Sequence, residues 1–449
     1  MIKEKMSSAA CLLRRFIFSD YYLLFLVMLA ALFVIINKGV LGVVIISTLL
    51  AFVMVLTDDL LPVLQGIMII ASFAIKLKYS TPDFLKLWPF IFPIAGCFFA
   101  HFFIYPPKLR RPAVYWGMMA ASVAITIGGI GIINPLTYFS PTSLFYMCML
   151  GFGMVIICSY IAASFEKERD YDFEDKFCKM MLCCVAVITL LLIYEYFTRR
   201  NELTDGLSVI PFQWRNNGST MLMLAMPFAF YYSRRNYAAF LLGIFIYLEI
   251  LLTGSRGGLL FGAAELGLCC LTMIILDKKH RKINIITVCV CLIAVLVLGK
   301  FFEELIRYTI QRMLNPSENS TRIELYKRGI NDFKTSPIIG RGIAYMGNRD
   351  VHPSAKHALC WYHNSIIQVA ASCGAVGIAA FTFLNVQRIR VFIKNISFFA
   401  IIMLLSFIGL EMMSLVNPGI FVPVPYLFII SIYFIVMQYQ NTGGKESLV

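Results

Sequence analysis

The stretch "NYAAFLLGIFIYLEILLTGSRGGLLFGAAELGLCCLTMIIL", Asn236 to Leu276, is two apolar runs separated by Thr253, Gly254, Ser255 and Arg256. Each run, 236–252 and 257–276, has the roughly 17 to 25 residues that a helix needs to cross a hydrocarbon core about 30 Å thick. The link between them is too short to be a domain. It carries one arginine flanked by glycines, and it reads as the turn of a membrane hairpin.

Runs of this kind recur on both sides of the hairpin, from Tyr21 to Tyr439, over 20–37, 39–56, 60–76, 87–106, 112–134, 141–163, 177–197, 217–232, 283–300, 365–384, 396–414 and 423–438. The composition agrees: of 449 residues, 59% are hydrophobic and 14% charged, which describes a chain solvated mostly by lipid. The expected fold is all-α, a polytopic helical bundle forming one membrane domain over 1–449, with about 12 to 14 transmembrane helices. The first run follows Lys3, Lys5, Arg14 and Arg15 with no small-residue cleavage site after it, and is expected to be a retained anchor. The 13 cysteines fall almost entirely within apolar runs, where they act as small hydrophobes rather than as a disulfide framework.

Lysine and arginine set the orientation, because short cytoplasmic loops carry the excess. The N-terminus, 108–111, 167–179, 234–235, 278–282 and 388–394 all fall on one side of this span pattern, and both termini are expected there. Lys76, Lys78 and Lys86 fall on the other. The net charge of +14 is then mainly a topology signal. A nucleic-acid partner would need that charge gathered on one soluble face, and no such domain exists.

On the opposite, external side emerge the loop 198–216, the turn 253–256 and the segment 301–364. The last is the one long polar stretch in the chain. Within it, "FFEELIRYTIQRML" (301–314) sets one apolar face against Glu303, Glu304, Arg307, Gln311 and Arg312, and reads as an amphipathic helix in the interface. "NPSENS" should break the chain there. Thr321, three residues before Glu324, has the spacing of a capping box, which predicts a second helix running through Ile323, Tyr326, Ile330 and Phe333 with Arg322 in its first turn. Gly340-Arg341-Gly342 reads as a loop whose backbone N–H groups can point at an anion. His352, His357 and His363 follow, and His363 stands where the next span begins.

Taken in order, "LLTGSRGG", "RIELYKRGINDFKTSPIIGRGIAY" and "HNSIIQVAASCGAVGI" resemble the O-antigen ligase and polymerase superfamily, over about residues 200–420. The resemblance implies a multispan glycosyltransferase of the cell envelope, acting at the external face of the bacterial inner or plasma membrane. Such an enzyme takes a saccharide from a polyprenyl (undecaprenyl) diphosphate carrier and passes it to the hydroxyl of an acceptor glycan or glycolipid. It works as polymerase or ligase in O-antigen, capsule or exopolysaccharide biosynthesis, with other glycan-assembly proteins as possible partners. Carried over by position, Arg256, Arg322 and His363 are the expected catalytic residues. Arg215, in "WRNNGS", Arg341 and Glu411 are expected to bind substrate.

Chemistry explains why these residue types suit the task. Breaking a sugar-diphosphate bond leaves negative charge on the diphosphate, and fixed arginine forks stabilise it in a poorly hydrated site without a metal or cofactor. A histidine with an ordinary pKa near 6.5 is suited to take the acceptor's proton, and one displacement inverts the anomeric centre. Other readings stand beside these. Arg256 can be a snorkelling anchor, Arg322 can face solvent beside Glu324, His363 can be a helix-start residue, Glu411 can be a headgroup-level carboxylate, and Trp214 and Trp361 can be interfacial aromatics. His352, His357, Cys360 and His363 have a spacing that permits zinc. A transporter or flippase of lipid-linked saccharides is the alternative function, although the charges gather at one face rather than at the bilayer midplane.

Overall fold

A computed structural model gives the architecture and describes residues 8–76, 86–130, 147–166, 171–202, 209–210, 212–297, 299–314, 316–343, 361–417, 421 and 426–440. The first helices are α1 (Ser8–Ile17), α2 (Asp20–Ile35), α3 (Gly39–Leu56), α4 (Leu61–Ala74), α5 (Ile91–Ile104), α6 (Tyr115–Ile130) and α7 (Phe152–Phe165). There follow α8 (Phe173–Thr198), α9 (Arg215–Tyr232), α10 (Ala238–Leu252), α11 (Arg256–Leu276) and α12 (Arg281–Val297). The last are α13 (Gly299–Leu314), α14 (Pro316–Thr335), α15 (Ser365–Lys394), α16 (Phe398–Ser414) and α17 (Tyr426–Gln440). Among the described residues there is no strand. By length and composition α3, α8, α11 and α15 can each cross a membrane, α1 and α2 form a pair bent by 77°, and most of the remaining helices are shorter and apolar. The chain is a multi-pass helical membrane bundle.

Most helices start and stop within a few residues of the hydropathy breaks, but three expectations need correction. The expected break does not extend over 315–320, because Pro316 already opens α14. Proline suits a helix's first turn, whose N–H groups have no partner within the helix. Thr321 therefore lies inside α14, and Arg322 sits in its second turn. The buried stripe of α14 is also turned from the expected one. Leu325 and Asp332 face inward, while Ile323 and Ile330 are about half exposed.

The third correction concerns charge. α15 runs ten residues past the expected end of its span, so Arg388 is not a loop residue. It is buried, its guanidinium lies over the Phe407 and Phe434 rings at 5.4 and 5.6 Å, and it donates to Asn385 at 3.0 Å. Glu249 and Glu265 are likewise buried inside their helices, so ionisable groups are not confined to one face.

The chain divides into two compact units. Unit 1 comprises Met1–Lys108, Lys167–Ser255 and Leu266–Leu305, and unit 2 comprises Leu109–Glu166, Arg256–Glu265 and Ile306–Val449. In unit 1, α9 packs between α8 and α10. It is buried along its length from Gly218 to Tyr231, as a helix apolar on every side must be. At one end of this unit Asp20 binds Lys176 and Lys179 at 2.5 and 2.6 Å, and Arg235 pairs with Asp172 and Asp175. At the other end Lys76 pairs with Glu195 at 2.8 Å. In unit 2, α15 is central and packs on α6, α14, α16 and α17.

Candidate functional site

The turn between α10 and α11 is held by its own side chains. Gly254 takes a positive φ of 65°. The Thr253 hydroxyl donates to the Ile250 carbonyl at 2.6 Å and accepts the Ser255 N–H at 3.2 Å. Ser255, 1% exposed, donates through its hydroxyl to the Asn216 side-chain oxygen at 2.9 Å. Within unit 1 this bond ties the turn to the start of α9, whose first residue is Arg215. Two of the expected external segments therefore meet. Gly257, by contrast, serves packing, because a Cβ there would come within 2.8 Å of Val416 and 3.0 Å of the Met413 sulfur.

Arg256 is the first residue of α11. A cation there repels the helix dipole, while the helix N–H groups and the guanidinium both favour an anion in the same place. In unit 2, α14 presents Arg322 and Tyr326 one turn apart on one face. Both Arg256 and Arg322 lie within electrostatic reach of the Tyr326 phenol. Burial pushes the Tyr326 pKa above its ordinary value, and the two arginines pull it back. The Tyr326 hydroxyl donates to the His363 carbonyl oxygen at 3.4 Å. Three of the expected site residues, Arg256, Arg322 and His363, are thus gathered around one tyrosine.

His363 is held in an uncommon shape. Its φ is +54°, a left-handed conformation that costs a non-glycine residue on the order of 1 kcal/mol and persists where neighbours dictate it. The next residue, Asn364, is anchored on both sides. Its side-chain oxygen caps α15 by accepting the Ile367 N–H at 3.0 Å, and its amide donates to the Leu415 carbonyl at 2.9 Å.

The loop at Arg341 behaves differently from its sequence reading. The Gly340, Arg341 and Gly342 N–H groups donate to the carbonyls of Ser336, Ala371 and Ser372 at 2.9, 2.7 and 2.9 Å, so none of them points at a ligand. The reason is a break in α15 at Gly374, φ +63°, whose freed carbonyls the loop satisfies. A Cβ on Gly340 would lie 2.3 Å from Ser372 backbone, and one on Gly374 2.4 Å from Ile338 backbone. The Arg341 side chain lies within reach of Asp332, which also accepts the Tyr362 hydroxyl at 2.5 Å.

Glu411 lies within electrostatic reach of Arg388 inside the span. Trp214 is 5% exposed and packs on Phe212 at 4.4 Å, and Trp361 stacks with Phe421 at 6.0 Å. His352, His357 and Cys360 fall outside the described residues. Tyr326, Asp332 and Asn216 were not anticipated. Tyr326 was legible as the residue one turn after Arg322, whereas nothing in the sequence pairs Asp332 with Tyr362.

A helical membrane protein with two arginines within electrostatic reach of one tyrosine, whose hydroxyl meets the His363 carbonyl, is the class that fold and site define. Residues 237–382 match the family model described as O-antigen ligase. The matched stretch holds Arg256, Arg322, Arg341 and His363, while Arg215 and Glu411 lie beyond it. No curated protein and no solved structure matches the chain.

Proposed function

We propose that the protein is an inverting glycosyltransferase that moves a saccharide from a polyprenyl diphosphate carrier to an acceptor hydroxyl at the external membrane face, without a metal. The observation that carries this reading is the convergence of Arg256 and Arg322 on Tyr326 beside His363. Two fixed guanidinium groups suit a diphosphate, since each fork binds phosphate oxygens with two parallel hydrogen bonds.

In the reaction, the acceptor oxygen attacks the anomeric carbon and the bond from that carbon to the diphosphate oxygen breaks. The electron pair stays on the leaving diphosphate, where Arg256 and Arg322 stabilise it. The acceptor's proton passes to the imidazole of His363. Arg215 and Glu411 are assigned to holding the glycan, and Arg341 acts through Asp332 to position α14. The surface glycan of a strain lacking the gene tests the role: single repeat units on lipid mean polymerase, long unattached chains mean ligase. An unchanged glycan would end the reading.

The break at Gly374 and the buried charges Glu265 and Arg388 lend some support to transport of lipid-linked saccharide, because broken helices and charges within spans mark transporters. Purified protein in liposomes separates the two readings. A transferase makes a new glycosidic bond, and a transporter only moves the carrier between leaflets.

A further inference from the structure

Unit 1 contains a cavity of about 950 Å³ in which none of the residues assigned above to chemistry takes part. It opens at the end of the unit where the α2–α3 turn, the end of α4, the end of α8 and the start of α9 come together. Four cations, Lys38, Lys76, Lys86 and Arg199, line it against one carboxylate, Glu195. The remaining wall is largely apolar and includes Phe33, Leu41 and Phe73.

The polar side of the cavity is organised around Glu195. That carboxylate pairs with Lys76 at 2.8 Å, accepts the Trp214 indole N–H at 3.5 Å and stands 4.0 Å from Arg199. Lys76 is further fixed over the Tyr194 ring, 4.0 Å from its centroid. A cation held by a carboxylate and a ring keeps its position before a ligand arrives, which lowers the ordering cost of binding. Arg199 is bound by Glu202 at 2.5 Å, just outside the wall, so Glu195 and Glu202 together face Lys38, Lys76, Lys86 and Arg199, and the excess of positive charge favours an anion. The volume suits a headgroup with the first part of a chain, being at the upper end of ordinary ligand pockets.

A small hydrophilic anion would use the cations and leave the apolar wall wet. An amphiphile uses both. We infer that this cavity binds the phosphate of a lipid, through a set of residues that includes neither Arg256 nor Arg322. Two lipids supply that chemistry, an anionic phospholipid of the bilayer and a polyprenyl diphosphate.

Site-resolved capture distinguishes them. Leu87, in the cavity wall, is replaced by a photo-crosslinking phenylalanine analogue in the full-length chain, and Leu292, 61% exposed on α12, serves as a second capture position. The protein is placed in phosphatidylcholine nanodiscs doped with phosphatidylglycerol or with a polyprenyl diphosphate, and the captured lipid is identified by mass. The expected result is enrichment of doped lipid at position 87 over position 292. The variant Lys38→Gln/Lys86→Gln should reduce that enrichment about ten-fold, as loss of two cations near a phosphate should, while phosphatidylcholine capture persists. Enrichment of both lipids assigns the cavity to bilayer phospholipid, and enrichment of polyprenyl diphosphate alone assigns it to the carrier. Capture in the bulk ratio at both positions, or enrichment that survives loss of both lysines, overturns the proposal. Native mass spectrometry of the chain without the analogue, with and without the two lysine substitutions, gives the same comparison if the analogue disturbs folding.

Discussion

Each unit is built around one central helix, and the two helices bury different things. In unit 1, α9 is continuous and buries uncharged residues from Gly218 to Tyr231. In unit 2, α15 is broken at Gly374 and buries Arg388 and Gln368. The only internal interruption of α9 is Pro227, which lacks an N–H and so frees one carbonyl of the preceding turn without breaking the helix. The broken one hands the carbonyls of Ala371 and Ser372 to the loop at Arg341, and its capped start adjoins His363. Charges in unit 1 are paired mainly at its ends, and the arginine and histidine of the proposed chemistry sit in unit 2. A scaffold half and a reactive half follow from where each helix is interrupted.

The largest expected effect that would break this division is at His363. His363→Gly accepts the left-handed backbone without steric strain and removes the imidazole. Transfer by purified protein should fall about 10² to 10⁴-fold while the protein accumulates normally. Full activity in that variant would remove the base from the scheme. Wild-type transfer should also survive a strong chelator, and loss on chelation with rescue by zinc would promote a metal in its place.

Arg256→Lys comes next. It keeps the charge and loses the fork, so transfer should drop on the order of 10²-fold with insertion unchanged. An unaffected rate would leave Arg256 as a snorkelling anchor.

The break in α15 can be tested against an unbroken stretch of helix by two substitutions of the same kind. Gly374→Ala forces a Cβ into positive φ and to within 2.4 Å of backbone, so it should destabilise the protein by more than about 2 kcal/mol. Gly267→Ala, on α11, meets nothing within 4 Å and should be neutral or stabilising by up to about 1 kcal/mol. Thermal melts of both in detergent read the difference. Equal melting temperatures would mean that the break in α15 is not structural.

The legible part of the molecule was set by solvent. Hydrocarbon demands runs of apolar residues, and α3 occupies the very residues that hydropathy assigns to it. Arg256 after a serine, Arg322 at the start of the external helix and His363 before an asparagine are candidates that the order of the chain alone supplies. What was hidden depends on tertiary partners. Thr321 looked like a helix cap because local spacing cannot register that Pro316 already starts the helix. The Gly340-Arg341-Gly342 loop looked like an anion nest because the Arg341 and Gly342 N–H groups find their carbonyls about thirty residues away, at a helix break that only Gly374 hints at. Arg388 looked like a loop charge because its phenylalanine partners lie on two later helices.

The smallest expected effect concerns Asp332, the polar residue on the buried stripe of α14. It accepts the Tyr362 hydroxyl at 2.5 Å. Burial raises its pKa above 3.8, and the Tyr362 hydrogen bond with Arg341 and Arg328 only partly reverses that. A carboxyl whose folded pKa is raised is favoured in its protonated form by folding. Its contribution to stability is therefore fullest below the unfolded value and is lost as pH rises through the window from 3.8 to the raised value. Asp332→Asn stays neutral at every pH and still accepts the Tyr362 hydroxyl, so the variant should lack that fall. Melting temperatures across this window should decline for the wild type relative to Asp332→Asn, by no more than a few degrees because the group is partly screened by solvent. Parallel curves for the two proteins would show that Asp332 titrates as an ordinary surface carboxyl, and that α14 does not rest on a buried polar contact where it carries Arg322 and Tyr326.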